Sequence, residues 1–185
     1  MTSLLRRALW RTSGRWGLVT FTLAAVAAAY LVSCSPVAFS ASHIAQVSAV
    51  KVLDLRFGFG SSDGEAALAA LDTTGTRSLY LGYLGADLLF LMLYAIALAS
   101  VLYALFGKGT IGFSVVPLIA ATFDVLEDLG SFVALVAFPG RVPFALTVAG
   151  AAGVFKFLFF AVAVLLLVPG AFAGVIRYSK RRGLT

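Results

Sequence analysis

Histidine and cysteine are almost absent from this sequence: among 185 residues there is one of each, His43 and Cys34. A single cysteine cannot form a disulfide within the chain, and a single histidine cannot build a histidine-rich metal site or a bis-histidine haem site. Charge is scarce as well, since 12% of the residues are charged, whereas soluble domains carry about 25%. These shortages exclude a disulfide scaffold and argue against a soluble domain.

Long apolar runs take the place of charge. Hydrophobic residues make up 61% of the chain and the mean hydropathy is +1.02. About 20 apolar residues are enough to cross a bilayer as a helix. Four such runs occur, at about residues 16–33, 79–106, 111–138 and 144–168. Gly107-Lys108-Gly109 predicts a tight turn after the second run, and Pro169-Gly170 is expected to end or kink the fourth. We expect an all-α fold, a four-span transmembrane helical bundle that forms a single membrane domain over residues 1–185, because the length leaves no room for a second domain.

Residues 35–78 form the longest polar segment, a loop of about 45 residues. The partial alternation in residues 50–59 predicts a short extended or interfacial segment. Ser62 and Glu65 fit a capping box, and Gly75 fits a helix stop. We therefore expect a short amphipathic helix in this loop. Its apolar face is too small to fold alone, which favours a helix that covers the mouth of the bundle.

The basic residues are distributed unevenly along the chain. Residues 1–15 hold four arginines and no acid, residues 177–182 hold four basic residues, and Lys108 lies between the second and third runs. The 35–78 loop carries four acids and three basic residues. The positive-inside rule therefore predicts that both termini are cytoplasmic and that this loop is outside a bacterial inner (plasma) membrane. Because the net charge of +6 is explained by this arrangement, it does not indicate a nucleic-acid partner.

Cys34 leaves a second interpretation of the first apolar run open. A basic start, an apolar middle and the sequence Leu31-Val32-Ser33-Cys34 are also typical of a bacterial lipoprotein signal, with Cys34 as the acylated residue. The long basic region before the run and the further spans after it favour a membrane-spanning helix. In both cases the next residue lies outside.

Charged residues inside the apolar runs are the candidate functional residues. The third run contains Asp124, Glu127 and Asp128, whose spacing of i, i+3, i+4 places them on one helix face. The second run contains Asp87, and the fourth contains Lys156. Asp124 and Lys156 fall near the middle of their runs, and the other acids lie in the outer half. We expect these five residues to form one polar pocket, reached from outside or sideways from the outer leaflet.

Two further sets of residues surround this pocket. Three tyrosines share helical spacing with Asp87: Tyr80, Tyr83 and Tyr94. Tyrosines in membrane helices more often serve packing and interface anchoring than proton transfer. Ala149 and Gly153 lie on the Lys156 face of the fourth run, where small side chains let a neighbouring helix approach closely.

The internal charges do not balance. Four acids and one lysine leave a formal charge of −3 in the membrane. One lysine–acid pair often serves only to lock the orientation of two helices, but such a lock needs one acid rather than four. The surplus carboxylates must be protonated, hydrated or bound to a cation. A divalent cation such as Mg²⁺, held by Asp124, Glu127 and Asp128, would reduce the excess.

Four segments together form a recognisable pattern: Asp54-Leu55-Arg56-Phe57, residues 77–94 with Tyr80 and Asp87, Phe123-Asp124-x-x-Glu127, and Lys156. This pattern resembles an uncharacterised group of small bacterial four-span membrane proteins and covers most of the chain. Asparagine is expected at position 128 in that group, so Asp128 adds a charge. The resemblance implies a four-span fold and no known activity.

Three functions fit these features. The first is a membrane enzyme acting on a lipid or isoprenoid, whose carboxylates hold Mg²⁺ against a phosphate or act as acid and base. The stretch Asp124-x-x-Glu127-Asp128 resembles the aspartate-rich motif of prenyltransferases, which use two such motifs. The signature of CDP-alcohol phosphotransferases is absent. The second is a proton- or cation-coupled transporter or channel component, which with four spans requires a homo-oligomer or larger assembly. The third is a structural or accessory subunit whose acids meet a basic span of a partner chain.

Overall fold

The computed structural model describes residues 2–107 and 111–181. All regular structure in these two ranges is helical, which confirms the predicted all-α class. The elements in chain order are α1 (Thr2–Thr12), α2 (Arg15–Ser33), α3 (Ala41–Ser48), a 3₁₀ turn (Leu53–Leu55), α4 (Ser61–Thr73), α5 (Arg77–Phe106), α6 (Ile111–Ala137), α7 (Pro143–Leu165) and α8 (Leu167–Arg181).

Three of these helical stretches are long and apolar enough to cross a membrane: α2, α5 and the stretch Pro143–Arg177 formed by α7 and α8. The 27 residues of α6 are sufficient in length, but three of them are the acids Asp124, Glu127 and Asp128. Length and composition therefore support three candidate spans. Whether α6 can be the predicted fourth span depends on the direction in which its acidic side chains point.

The end of the fourth apolar run differs from the expectation. The sequence predicts that Pro169-Gly170 ends or kinks the helix. The helix is instead interrupted at Leu166, and α8 continues to Arg181. Pro169 lies in the first turn of α8, where a missing N–H is tolerated because those groups have no partner within the helix. The predicted turn at Lys108 and Gly109, like the basic residue Arg182, lies outside the described residues.

The segment between α2 and α5, residues 34–76, folds without strands. Residues 50–59 contain the 3₁₀ turn in place of the extended piece that their alternation suggested. The capping box predicted at Ser62 and Glu65 is wrong, because α4 begins at Ser61 and the N–H of Gly60 donates to the Asp63 carboxylate at 3.2 Å. Gly75 follows α4 with a φ of +68°, and this left-handed conformation suits the predicted stop.

α4 covers one end of the long helices, as predicted. Leu68 and Leu71 are each 2% exposed and belong to a core that also contains Tyr80 of α5 and Leu146 of α7. The surface that α4 buries is therefore shared with α5 and α7. This core lies directly beside the charged residues described below.

The opposite end of α5 contacts α1 and α8. Leu9 of α1 packs against Ala99 and Tyr103 of α5, and Thr12 and Ser100 share a hydrogen bond between their hydroxyls at 2.6 Å. From α8, the Arg177 guanidinium donates to the carbonyl oxygens of Ala104 and Leu105. α1 and α8 thus lie at the same end of the molecule.

Small residues allow α6 and α7 to pack closely. A Cβ placed on Gly130 of α6 would lie 2.7 Å from the Ala145 carbonyl oxygen and 2.9 Å from the Ala149 Cβ. A Cβ placed on Gly153 of α7 would lie 2.6 Å from Oε1 of Glu127. The close approach predicted for Ala149 and Gly153 is confirmed, and it brings the acids of α6 against α7.

Candidate functional site

α5, α6 and α7 direct all five predicted site residues into the interior of the protein. Glu127 is fully buried, and the remaining four are between 4% and 8% exposed: Asp87, Asp124, Asp128 and Lys156. On α6 the spacing of i, i+3, i+4 aligns the three acids on the face that packs against α5 and α7. The residues that helical periodicity placed together are therefore close in space.

Lys156 is held by two carboxylates. Its Nζ lies 2.9 Å from Oδ1 of Asp124 and 2.7 Å from Oε2 of Glu127. It also donates a hydrogen bond of 3.0 Å to the backbone carbonyl oxygen of Asp54. The lysine therefore neutralises part of the charge from α6 and joins α6 and α7 to the 3₁₀ turn.

Asp54 is a site residue that the sequence interpretation missed. It belongs to the segment between α2 and α5, yet it is 2% exposed and accepts a hydrogen bond from the hydroxyl of Tyr83. Burial raises the pKa of the Asp54 carboxyl above its usual value, the charge of Asp124 adds to this effect, and Lys156 and Tyr83 oppose it. Two features of the sequence pointed to Asp54: its place between Leu53 and Leu55 in an alternating stretch, and its part in the pattern Asp54-Leu55-Arg56-Phe57.

Two glycines allow the 3₁₀ turn to enter the helical core. Gly58 has a φ of +75°, which side chains rarely tolerate. A Cβ on Gly150 of α7 would lie 1.9 Å from the carbonyl oxygen of Phe59. The close contact between the backbone of Phe59 and α7 thus holds in place the segment that carries Asp54.

Tyr94 joins α5 to the same cluster. Its hydroxyl donates to Oδ2 of Asp124 at 2.9 Å, while Oδ1 of that carboxylate faces Lys156. Tyr83 and Tyr94 therefore act as hydrogen-bond donors to carboxylates, in addition to the packing role expected from the sequence.

Three carboxylates lie close enough together to share a cation. One oxygen each from Asp87, Asp124 and Asp128 lies within 4.8 Å of the other two. Ligands on opposite sides of an ion are separated by twice the metal–oxygen distance, about 4.2 Å for Mg²⁺ and up to about 5 Å for Ca²⁺. We name these residues the carboxylate triad. The sequence suggested Glu127 in place of Asp87, whereas Glu127 pairs with Lys156.

Several buried oxygens of this region have no hydrogen-bond partner among the described residues: both carboxylate oxygens of Asp128, Oε1 of Glu127 and Oδ1 of Asp54. A buried carboxylate oxygen without a partner is costly. Five buried carboxylates face one lysine, so the formal charge is −4 if all are ionised. Protons or a bound cation must offset this excess.

A partly open cavity of about 120 Å³ adjoins the cluster. Its polar wall includes Asp54, Asp87, Asp124 and Lys156, and its apolar wall is mainly aromatic, with Phe90, Tyr94, Phe157 and Phe160. A small polar group can therefore reach the carboxylates while an attached apolar group remains against aromatic rings.

No protein-family model, no curated protein and no solved structure matches this chain. The resemblance to small bacterial four-span proteins stays a prediction. The function must be inferred from the site itself.

Proposed function

We propose that this chain is a multi-pass protein of a bacterial inner membrane, with α2, α5, α6 and α7 as four spans and both termini in the cytoplasm. α6 turns its acids inward and exposes apolar side chains such as Leu126, Leu129 and Val136, as a lipid-facing helix requires. α1 and α8 share one end of the molecule, which an even number of spans requires. The basic residues of α1 and α8 fit the cytoplasmic side.

The carboxylate triad is the divalent-cation site of this protein. The observation that carries this proposal is the approach of Asp87, Asp124 and Asp128 oxygens to within 4.8 Å in a region where carboxylates outnumber basic groups five to one. Carboxylate oxygens are the preferred ligands of Mg²⁺ and Ca²⁺. A divalent ion bound between the three carboxylates would reduce the repulsion between their negative charges.

The cavity beside the triad accepts the polar end of a membrane lipid or isoprenoid, and the protein acts on it as an enzyme. Aromatic side chains line the apolar wall, and Leu55 and Phe160 are partly exposed at its edge. A bound cation would polarise an oxygen of the ligand, and a carboxylate would exchange a proton with it.

Thermal unfolding of the detergent-purified protein tests the cation site. We expect a saturable rise in Tm with Mg²⁺, Mn²⁺ or Ca²⁺ that Asp87→Asn and Asp128→Asn abolish. Glu127→Gln is the matched control, because it removes a buried carboxylate outside the triad and should retain the cation response. A positive result leads to a turnover screen with phospholipids and prenyl substrates.

Lys156→Met separates a binding site from a structural lock. Removing the lysine leaves two buried carboxylates without their cation, so we expect a loss of about 3–5 kcal/mol of stability together with a retained or stronger cation response. Destabilisation without any cation response in the natural protein would contradict the cation site. It would favour a structural role, with a basic span of a partner chain against the remaining acids.

Proton-coupled transport is the second candidate function. It is favoured by the hydrogen bonds from Tyr83 to Asp54 and from Tyr94 to Asp124, which link hydroxyls and carboxylates across the cluster. Proton flux into proteoliposomes under a pH gradient measures this activity. A flux that Tyr94→Phe reduces, without any cation-dependent Tm, would favour transport over the enzyme.

A further inference from the structure

A second opening reaches the carboxylate triad from the other side of α5. This groove between α5 and α6 has a volume of about 380 Å³, within the range of about 300–1,000 Å³ typical of ligand pockets. Its apolar lining includes Leu81, Gly85 and Leu88 from α5 and Val125, Leu129 and Phe132 from α6. Four of these side chains, the two α5 leucines, Leu129 and Phe132, are between 41% and 55% exposed, so the groove is open along the surface of the helices.

Within residues 2–107 and 111–181, Asp128 is the one ionisable residue that lines this groove. It is 4% exposed, and neither carboxylate oxygen has a hydrogen-bond partner among the described residues. A buried carboxylate without a donor is unfavourable, and a donor supplied by a ligand would relieve that cost. No basic side chain among the residues that the structure describes lines the groove, so an anionic ligand would meet a like charge.

The triad separates the groove from the aromatic cavity. Asp87 and Asp124 line the cavity, Asp128 lines the groove, and the oxygens of the three residues lie within 4.8 Å. A ligand held in the groove would therefore have its polar end beside the proposed cation site.

We propose that the groove binds an apolar chain whose end is a hydrogen-bond donor, either a hydroxyl or an ammonium, and that Asp128 accepts from this end. The apolar chain lies along the leucines and Phe132, and the donor reaches the otherwise unpartnered carboxylate. This proposal rests on the proposed function and narrows its substrate class to long-chain or isoprenoid alcohols and amines, in preference to anionic lipids.

Direct binding tests this assignment with the full chain in lipid nanodiscs. The probes are tritiated farnesol, dodecylamine and dodecanoate, and protein-free nanodiscs correct for partition into the lipid. We expect saturable binding of the alcohol and the amine, and at least tenfold weaker binding of dodecanoate. Asp128→Asn should weaken dodecylamine binding at least tenfold, because it removes the charge that an ammonium pairs with. Binding of farnesol alone or of dodecylamine alone identifies which donor the groove takes.

Gly85→Leu tests the location without disturbing the core. A Cβ on Gly85 meets no atom within 4 Å, so a leucine there can fill the groove without a clash, and binding should fall at least tenfold. Gly112→Leu is the matched control, since Gly112 also has free space around a Cβ and does not line the groove. Unchanged binding in Gly112→Leu and lost binding in Gly85→Leu support the proposal.

Three results would overturn the proposal: partition that does not saturate, equal binding of dodecanoate, or unchanged binding in Gly85→Leu. A change in oligomeric state caused by Gly85→Leu, without ligand binding to the natural protein, would show that the groove is an interface between copies. The cation response is measured separately by Tm. If cations still raise Tm while no apolar chain binds, this inference fails and the cation site stands. If apolar chains bind but no cation raises Tm, the cation site fails and the groove assignment stands.

Discussion

Asp54 shows how a single loop residue becomes part of a buried charged cluster. Its carboxylate accepts from Tyr83, and its backbone carbonyl accepts from Lys156 at 3.0 Å. Two separate groups of the same residue therefore bind two different helices. The segment between α2 and α5 thereby contributes one of the carboxylates that set the charge of the site.

The buried carboxyl of Asp54 predicts a pH dependence of stability. Burial raises its pKa in the folded state above the unfolded value of about 3.9. Between these two pKa values the folded protein retains a proton that the unfolded chain has released, so stability falls as pH rises through this window. We expect Tm to increase as pH is lowered through this window, and Asp54→Asn to reduce that increase.

Asp63→Asn is the control for this measurement. Asp63 is an exposed acid in the same segment, and asparagine preserves its capping of α4. Its pH response should equal that of the natural protein. An identical pH response in Asp54→Asn would show that the Asp54 proton does not contribute to stability.

At the scale of the elements, helical periodicity predicted the long helices better than the sequence predicted the segment that joins α2 to α5. The boundaries of α2, α5 and α6 lie within two residues of the apolar runs. The acids of α6 also share a face, because a helix fixes the direction of side chains at i, i+3 and i+4. Periodicity does not give the rotation of one helix relative to another. For this reason the sequence could not decide whether Asp87 or Glu127 joins Asp124 and Asp128.

The sequence did not predict the position of the 3₁₀ turn, and the reason is different. Alternation in residues 50–59 predicted a short extended or interfacial segment, but the surface that it packs against depends on Gly150, ninety-two residues after Gly58 in the chain. A glycine in an apolar helix is compatible with packing against another helix, with lipid or with a loop. Only the folded chain shows that its open side faces the carbonyl oxygen of Phe59.

Gly150→Ala is expected to displace this turn. The added Cβ would lie 1.9 Å from a backbone oxygen that cannot rotate away, so we expect a loss of about 1–3 kcal/mol of stability and faster trypsin cleavage at Arg56. Gly85→Ala is the matched control, because nothing lies within 4 Å of its Cβ and alanine favours a helix by up to about 1 kcal/mol. Equal Tm and cleavage rates for the two variants would show that the turn does not depend on contact with α7.

For the whole molecule, the central issue is whether α6 crosses the membrane. Insertion of three central acids costs roughly 7–10 kcal/mol, and the 15 Leu, Ile, Val and Phe residues of the third run return roughly 5–9 kcal/mol. α6 is therefore marginal as an isolated span. If α6 crosses the membrane, this deficit in insertion free energy is offset by the contacts of Asp124 and Glu127 with Lys156 and by the close packing at Gly130. Four spans place the two termini on the same side, whereas three would separate them.

Labelling of single cysteines in intact spheroplasts distinguishes these arrangements. Cys34 is exposed at the end of α2, and with four spans and cytoplasmic termini it should react with a membrane-impermeant maleimide. In a Cys34→Ser background, Ser13→Cys before α2 and Ser179→Cys in α8 should both react only after permeabilisation. If α6 does not cross, one of these two cysteines becomes reactive in intact spheroplasts and the other does not. A blocked Cys34 together with loss of the first 33 residues in the intact mass would instead establish the lipoprotein alternative, because cleavage before Cys34 removes α1 and α2 from the mature chain.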